Sequence, residues 1–313
     1  MTSGNSDYLA DSVLEDDICN ICGSNDYWVV KLANYSHISS VEDFYKNYSS
    51  SSDSKLSDQL VKCKNCRLVY VNPRVKNVVS LTGYQEAVDP RHHEEDHYRM
   101  LSFKRAIKKI EKYILEGNKP KSKIRILDVG CAGGAFPKTA IDLGYRAIGI
   151  EPSKYLAAHG RRTYNLDVRA ETLEEFSLEP ELFSVISFWD VLEHVPNPKK
   201  TLQLAHAMLE DPGVIILNLP MIDTFPAKML GKYWPFYLNV HFFYFEIETI
   251  SKLLDSLGYE IVQKKRYWQT LSFGYVLTRV GINLPFELNS KLSFPIKYYL
   301  GQRTIIAKQK TNV

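Results

Sequence analysis

Four of the five cysteines stand in two pairs, Cys19-x-x-Cys22 and Cys63-x-x-Cys66. Two intervening residues let both sulfurs of a pair turn toward one tetrahedral ion, and two such knuckles complete a closed four-sulfur site of the structural kind, for which Zn2+ is the fitting metal. Gly23 follows the first pair, and the strand-like Leu68-Val69-Tyr70-Val71 follows the second. Two disulfides or a redox-active dithiol are the alternatives. The first suits a secreted chain, but the N-terminus is polar and acidic (Asp7, Asp11, Glu15, Asp16, Asp17), with neither a basic start nor an apolar stretch. The second lacks a thioredoxin-like pattern around either pair.

A second chemical signature is Ile124-Arg-Ile-Leu-Asp128-Val-Gly130-Cys131-Ala132-Gly133-Gly134-Ala-Phe136. A β-branched strand breaks into a glycine-rich turn and continues as a helical pattern, the opening unit of a doubly wound sheet. Glycines are expected there because a bulky ligand approaches the backbone closely. The next strand, Tyr145 to Ile150, ends in Glu151, followed by Pro152. An acidic residue about 20 positions after the turn is placed to accept ribose hydroxyls. Asp128 before the first glycine, and Ala132 where a second would stand, argue against a dinucleotide ligand.

At these residues the sequence resembles the class I S-adenosylmethionine (SAM)-dependent methyltransferases. The resemblance implies that the glycine turn (Asp128, Gly130, Cys131, Ala132, Gly134, Phe136) meets the methionine part of SAM, and that Glu151 and Pro152 meet its ribose. It also implies that Glu171 or Thr172, after a short third strand (Asp167 to Arg169), faces the adenine, and that Trp189 and Asp190 belong to the site; Glu171 as a cap of the helix Leu173 to Phe176 is the structural alternative. Cys131 inside the motif reads as a small turn residue. The likeness continues through Leu182 to Pro196 and Pro212 to Pro220, then a helical repeat at Ile247, Ile250, Leu253, Leu254 and Leu257 closed by Gly258. Ile261-Val262 opens the sixth strand, and Thr304 to Lys308 is the seventh, inserted antiparallel. It implies an α/β, Rossmann-like seven-stranded methyltransferase sheet of order 3-2-1-4-5-7-6, with a small N-terminal zinc-ribbon module.

The whole chain is similar to the zinc-ribbon-bearing methyltransferases of bacterial sugar and surface-polysaccharide biosynthesis. The paired cysteines, Leu68-Val-Tyr-Val-Asn-Pro73, the Tyr84-to-Tyr98 linker and His241-Phe-Phe-Tyr244-Phe245 carry that similarity. The group's linker folds over SAM, which implies a contact from Tyr98. Its sugar C-methyltransferases have a Tyr-His-Glu-His cluster that supplies the base. Those positions here read Leu238, Asn239, Val240 and His241, so transfer to oxygen fits better than transfer to carbon.

Methyl transfer needs alignment and, for a hydroxyl acceptor, a proton acceptor. The candidates are His194, beyond the fourth strand, and His241, in the segment roofing the pocket. His194 as a helix cap and His241 as a lid anchor are the structural alternatives. Asp190, Glu193, His194 and His241 also resemble the set with which some O-methyltransferases hold a divalent cation. His93-Glu94-Glu95-Asp96-His97 satisfies the zinc-protease pattern, but its charged interior reads as a solvated linker helix.

These residues require elements to hold them. The 313 residues suffice for one large domain and a small one, and divide as a flexible N-terminus (1–16), a zinc-ribbon-like module (17–75), a helical linker (76–119) and the methyltransferase domain (120–313). Ser49 to Ser54 reads as a flexible tip. Residues 267–302, rich in Tyr, Phe, Leu and Pro, read either as a cover packed on the sheet or as an acceptor lid. A net charge of +3, with 39 basic against 36 acidic residues, disfavours a nucleic-acid partner and hence an RNA methyltransferase. Lys104 to Arg125 reads as a solvated basic face. No uncharged apolar run reaches the roughly 18 residues of a membrane span. The expectation is a cytoplasmic enzyme acting on a sugar, nucleotide-sugar or related small acceptor, with peripheral membrane contact left open. A non-catalytic SAM-fold binding protein is the rival from another class.

Overall fold

The computed structural model describes residues 13–36, 40, 54–86, 94–115, 119–178, 181–279, 282, 285, 288 and 292–310. Most of the N-terminal segment, the serine tip up to residue 53, His93 and much of 280–291 lie outside them.

The N-terminal module is a short antiparallel construction. Strands β1 (Leu14–Glu15) and β5 (Arg74–Val75) pair, so residues 14 and 15 belong to the module rather than to a free tail. Strands β2 (Tyr27–Lys31), β3 (Leu60–Cys63) and β4 (Val69–Val71) form a meander. Each cysteine pair sits in a tight turn. The residue after each second cysteine is left-handed, with φ of 74° at both Gly23 and Arg67. The Gly23 and Arg67 amides donate to the Cys19 and Cys63 carbonyls at 2.8 and 3.1 Å.

The main sheet contains β6 (Arg125–Val129), β7 (Arg146–Ile150), β8 (Val168–Arg169), β9 (Phe183–Trp189), β10 (Leu209–Pro220), β12 (Tyr259–Arg266) and β15 (Gln302–Gln309). Its spatial order is β12-β15-β10-β9-β6-β7-β8, which is the expected 3-2-1-4-5-7-6 among the sheet's own strands. Strand β15 runs antiparallel to both neighbours, as expected. The β6–β10 pairings are parallel. All seven residues of β9 are buried, the consequence of helices covering both faces of a parallel sheet. The helix Ile247–Ser256 buries Ile250, Leu253 and Leu254 and is followed by Gly258 at φ 78°, as its periodicity predicts.

The linker helix Asp96–Ile114 buries Ser102, Ala106, Ile107, Ile110 and Ile114 on one face. Lys104, Lys108, Lys109 and Lys112 face solvent on the other, as expected. Its start departs from the solvated reading. Glu95 and Asp96 are buried; Glu95 accepts the Ser272 amide at 2.7 Å and its hydroxyl at 2.6 Å, and Asp96 accepts the Tyr164 hydroxyl at 3.0 Å.

Two connections tie the parts together. Strand β11 (Phe243–Tyr244), from the middle of the expected methyltransferase domain, pairs with β4 and completes the order β11-β4-β3-β2. Cys19, Cys63 and Tyr70 accordingly share one apolar core with Phe188 and Leu217 of the main sheet. Strands β13 (Gln269–Ser272) and β14 (Pro295–Tyr298) form a hairpin, and Ser102 Oγ of the linker helix accepts the Thr270 amide at 2.7 Å. This part of the 267–302 segment is therefore bonded to the linker helix. Among the described residues no helix is long and apolar enough to cross a membrane.

Candidate active site

The four cysteine sulfurs lie within 4.8 Å of one another. Cys19 and Cys66 approach to 3.3 Å and Cys22 and Cys63 to 3.6 Å, so the close pairs run across the two knuckles. Sulfurs about 2.3 Å from one tetrahedral ion stand roughly 3.8 Å apart, and the donor set fits Zn2+.

The glycine turn lies at the carboxyl end of β6. Gly130, Ala132 and Gly134 have φ of 65°, 48° and 88°. A Cβ on Gly130 would meet Val191 Cγ2 at 2.7 Å, and one on Gly134 would meet Leu166 Cδ1 at 2.6 Å. The glycines are thus required by backbone conformation and by neighbouring side chains. Cys131 Sγ lies where a Cβ on Gly149 would fall, 2.4 Å away, so this thiol is a packed turn residue. Asp128, in β6 between β7 and β9, is buried and accepts the Ser187 hydroxyl at 2.6 Å; burial raises its carboxyl well above the usual range.

Glu151, at the end of β7, is fully buried. One carboxylate oxygen accepts the Ala132 amide at 2.9 Å and the other the Ser153 amide at 2.8 Å. The Tyr84 side chain also hydrogen-bonds it. Burial pushes Glu151 up to about 7, against the opposing pull of the Ser153 and Ala132 amides. The Tyr98 hydroxyl donates to the Ser293 carbonyl at 2.5 Å, and Tyr84 is the linker tyrosine at Glu151. Pro152 and Glu171 are half-buried, at the ends of β7 and β8. Thr172, not Glu171, caps the following helix, in a capping box with Glu175.

Phe136 and Trp189 lie in the core beneath the linker helix, their rings 5.1 Å apart with Phe103 and Tyr267 against Trp189. Asp190, at φ 55°, accepts Asn218 Nδ2 at 2.8 Å and Gln302 Nε2 at 2.7 Å. Burial pushes it up to about 6 against the pull of those two amides.

Glu193, His194 and His241 come together beyond β9. His194 Nδ1 bonds the Val240 carbonyl at 2.8 Å, and the two imidazoles meet edge to face at 4.5 Å. Asn197, not His194, caps the helix Pro198–Ala207. Burial pushes His194 down to about 4 and holds His241 well below the usual histidine range, so both rings are neutral at pH 7. Asp190, expected in this group, is engaged by Asn218 and Gln302 instead. Asn239, which aligns with the absent catalytic cluster, accepts the Ser57 amide at 2.6 Å and ties the roof to the module.

Sequence reasoning missed Tyr84, Ser187, Asn218 and Gln302. Ser187 and Asn218 carried a signal, being polar side chains inside otherwise apolar strands. Gln302 carried none.

Comparison with known proteins settles the family. A family model described as a methyltransferase domain matches residues 96–264, more than half of the chain. The chain belongs to the methyltransferase-domain family. Methyltransferase relatives include the ubiquinone biosynthesis O-methyltransferase of Actinobacillus pleuropneumoniae serotype 5b, 32% identical over 34% of this chain and 49% of that protein. That of Rhizobium etli is 25% identical over 51% of this chain and 70% of the relative. The chain thus spans about half the length of the first of these. A SAM-dependent methyltransferase from Archaeoglobus fulgidus, 18% identical, superposes with a TM-score of 0.50 over 71% of this chain and all of that one, which shows the shared fold.

Proposed function

We infer that the protein is a SAM-dependent methyltransferase that transfers a methyl group to a hydroxyl of a small acceptor, a sugar, nucleotide-sugar or related metabolite. The observation that carries the reading is Glu151. Its buried carboxylate is fixed against the glycine turn through Ala132 and already takes a side-chain hydrogen bond from Tyr84, the donor type a ribose would present. Asp190, oriented by Asn218 and Gln302, stands at the end of β9, across β6 from β7.

Bound SAM supplies a methyl group on a positively charged sulfur. The acceptor oxygen uses its lone pair to form the new C–O bond as the C–S bond breaks; the C–S bonding pair stays with sulfur as a neutral thioether, and the hydroxyl proton leaves. The chain's part is to align the two reactants and release that proton. His194 and His241 supply neutral rings beside the sheet's carboxyl edge, where ligands of such sheets lie. The His194 Nδ1 bond to Val240 leaves Nε2 as the free lone pair.

Transfer to oxygen is supported by the names of the curated relatives and by Asn239, spent on Ser57 where a C-methylation base would stand. The sugar class rests on the resemblance of the module and linker. We infer four-cysteine Zn2+ as the structural metal. Native mass spectrometry with and without S-adenosylhomocysteine tests the reading: one bound nucleoside supports it, and repeated failure to bind leaves only a binding fold. A screen with labelled methyl donor then separates hydroxyl from carbon acceptors.

A further inference from the structure

Glu151 has no exposed surface, so the carboxylate assigned above to the ribose is closed off by its own chain. Among the described residues three donors hold it: the Ala132 amide on one oxygen, the Ser153 amide on the other, and the Tyr84 side chain. The two amides are fixed by the fold. Ala132 belongs to the left-handed glycine turn, and Ser153 caps the helix Lys154–Tyr164. Tyr84 is held differently. It comes from the linker helix Asn77–Glu86, which packs on the helix Lys154–Tyr164. The sequence of this linker helix gathers no apolar face, and none of its described side chains is fully buried. Packing of an apolar stripe supplies most helical stability, so a helix without one is weakly anchored. The next linker helix, Asp96–Ile114, by contrast buries Ile107, Ile110 and Ile114.

An ionised carboxylate offers about four acceptor positions. The three resident donors leave about one, and the adjacent hydroxyls of a ribose need two. We propose that Tyr84 is a gate on the coenzyme site: when closed, its phenol holds the place of a ribose hydroxyl on Glu151, and the nucleoside enters when the helix Asn77–Glu86 withdraws it. The gate rests on the methyltransferase reading, in which Glu151 takes the ribose. Entry exchanges one hydroxyl donor for another, so it is nearly even in hydrogen bonds. What opening costs is the seat of one short, weakly anchored helix. Both amides stay in place and hold the carboxylate at the strand end for its next partner. Only the open fraction binds, so the apparent dissociation constant is the intrinsic one divided by that fraction.

The test measures S-adenosylhomocysteine binding to the full chain and to Y84F, which keeps the ring and removes the hydroxyl. Y84F should bind about tenfold more tightly, because one hydrogen bond to a charged group is lost from the closed form alone. The gain should lie in the association rate, with dissociation unchanged, since the open fraction rises. Hydrogen exchange on the wild type gives a readout free of any substitution: the amides of residues 77–86 should exchange faster with the nucleoside bound. Equal or weaker binding by Y84F overturns the gate, as does slower or unchanged exchange of residues 77–86 in nucleoside-saturated wild type. In either case binding by the wild type shows that only the gate falls. If neither protein binds the nucleoside, the methyltransferase reading falls with it.

Discussion

Glu151 Oε2 accepts the Ala132 amide at 2.9 Å, joining the end of β7 to the glycine turn that follows β6. A ligand hydroxyl bound to this carboxylate favours its ionised form. Burial opposes ionisation and sets the group at about 7. Nucleoside affinity should therefore rise between pH 6 and pH 8, since at the lower pH the proton must first be removed. The unliganded fold has the opposite slope. A carboxyl raised above its unfolded value contributes stability that is present in acid and lost as pH passes through 7. Calorimetric titration of S-adenosylhomocysteine at pH 6, 7 and 8 checks the sign. E151Q should bind about 10–100-fold more weakly, the loss of one or two charge-assisted hydrogen bonds, and without that pH dependence.

Gly134 combines φ of 88° with Leu166 at 2.6 Å from its missing Cβ. G134A should lower stability by about 2–4 kcal/mol through left-handed strain and overpacking. A denaturant melt gives the value, and a change below about half a kilocalorie would mean the turn relaxes freely.

Asn239 Oδ1 receives the Ser57 amide across 182 residues of chain. N239A leaves that buried amide unsatisfied, at a cost of about 1–3 kcal/mol. The thermal midpoint and methyl transfer should fall together, while nucleoside affinity stays within about twofold, because Glu151 lies on other strands. A parallel loss of nucleoside binding would show that the roof and coenzyme site are one unit.

Stripping metal from the four cysteines should cost more than the small module alone. Its sheet includes β11, and its core is continuous with β9 and β10. Structural zinc sites in small domains are worth on the order of 10 kcal/mol. Chelation under native conditions, or C63S, should lower the thermal midpoint by roughly 10 °C or more and abolish transfer. An unchanged melt after verified metal loss would show that apolar burial alone holds the module.

The sequence by itself determined what local pattern and spacing encode. Periodicity and the Asp128–Gly134 turn marked the strands, because a parallel sheet buried on both faces needs apolar runs and its first turn needs left-handed residues; their order came from the resemblance to the class I methyltransferases. The cysteine spacing determined the four-sulfur cluster in the same way, since each knuckle is a local turn. Tertiary structure decided which distant groups meet. Tyr84 reaches Glu151, and Tyr98 the Ser293 carbonyl, because the linker runs through two helical segments whose placement no local rule sets. Asp190 leaves the Glu193 group because Gln302, 112 residues later, arrives on the antiparallel strand β15. His241 becomes buried because its segment pairs with β4 of the module. Such meetings depend on packing between elements far apart in the chain, and sequence spacing does not record them.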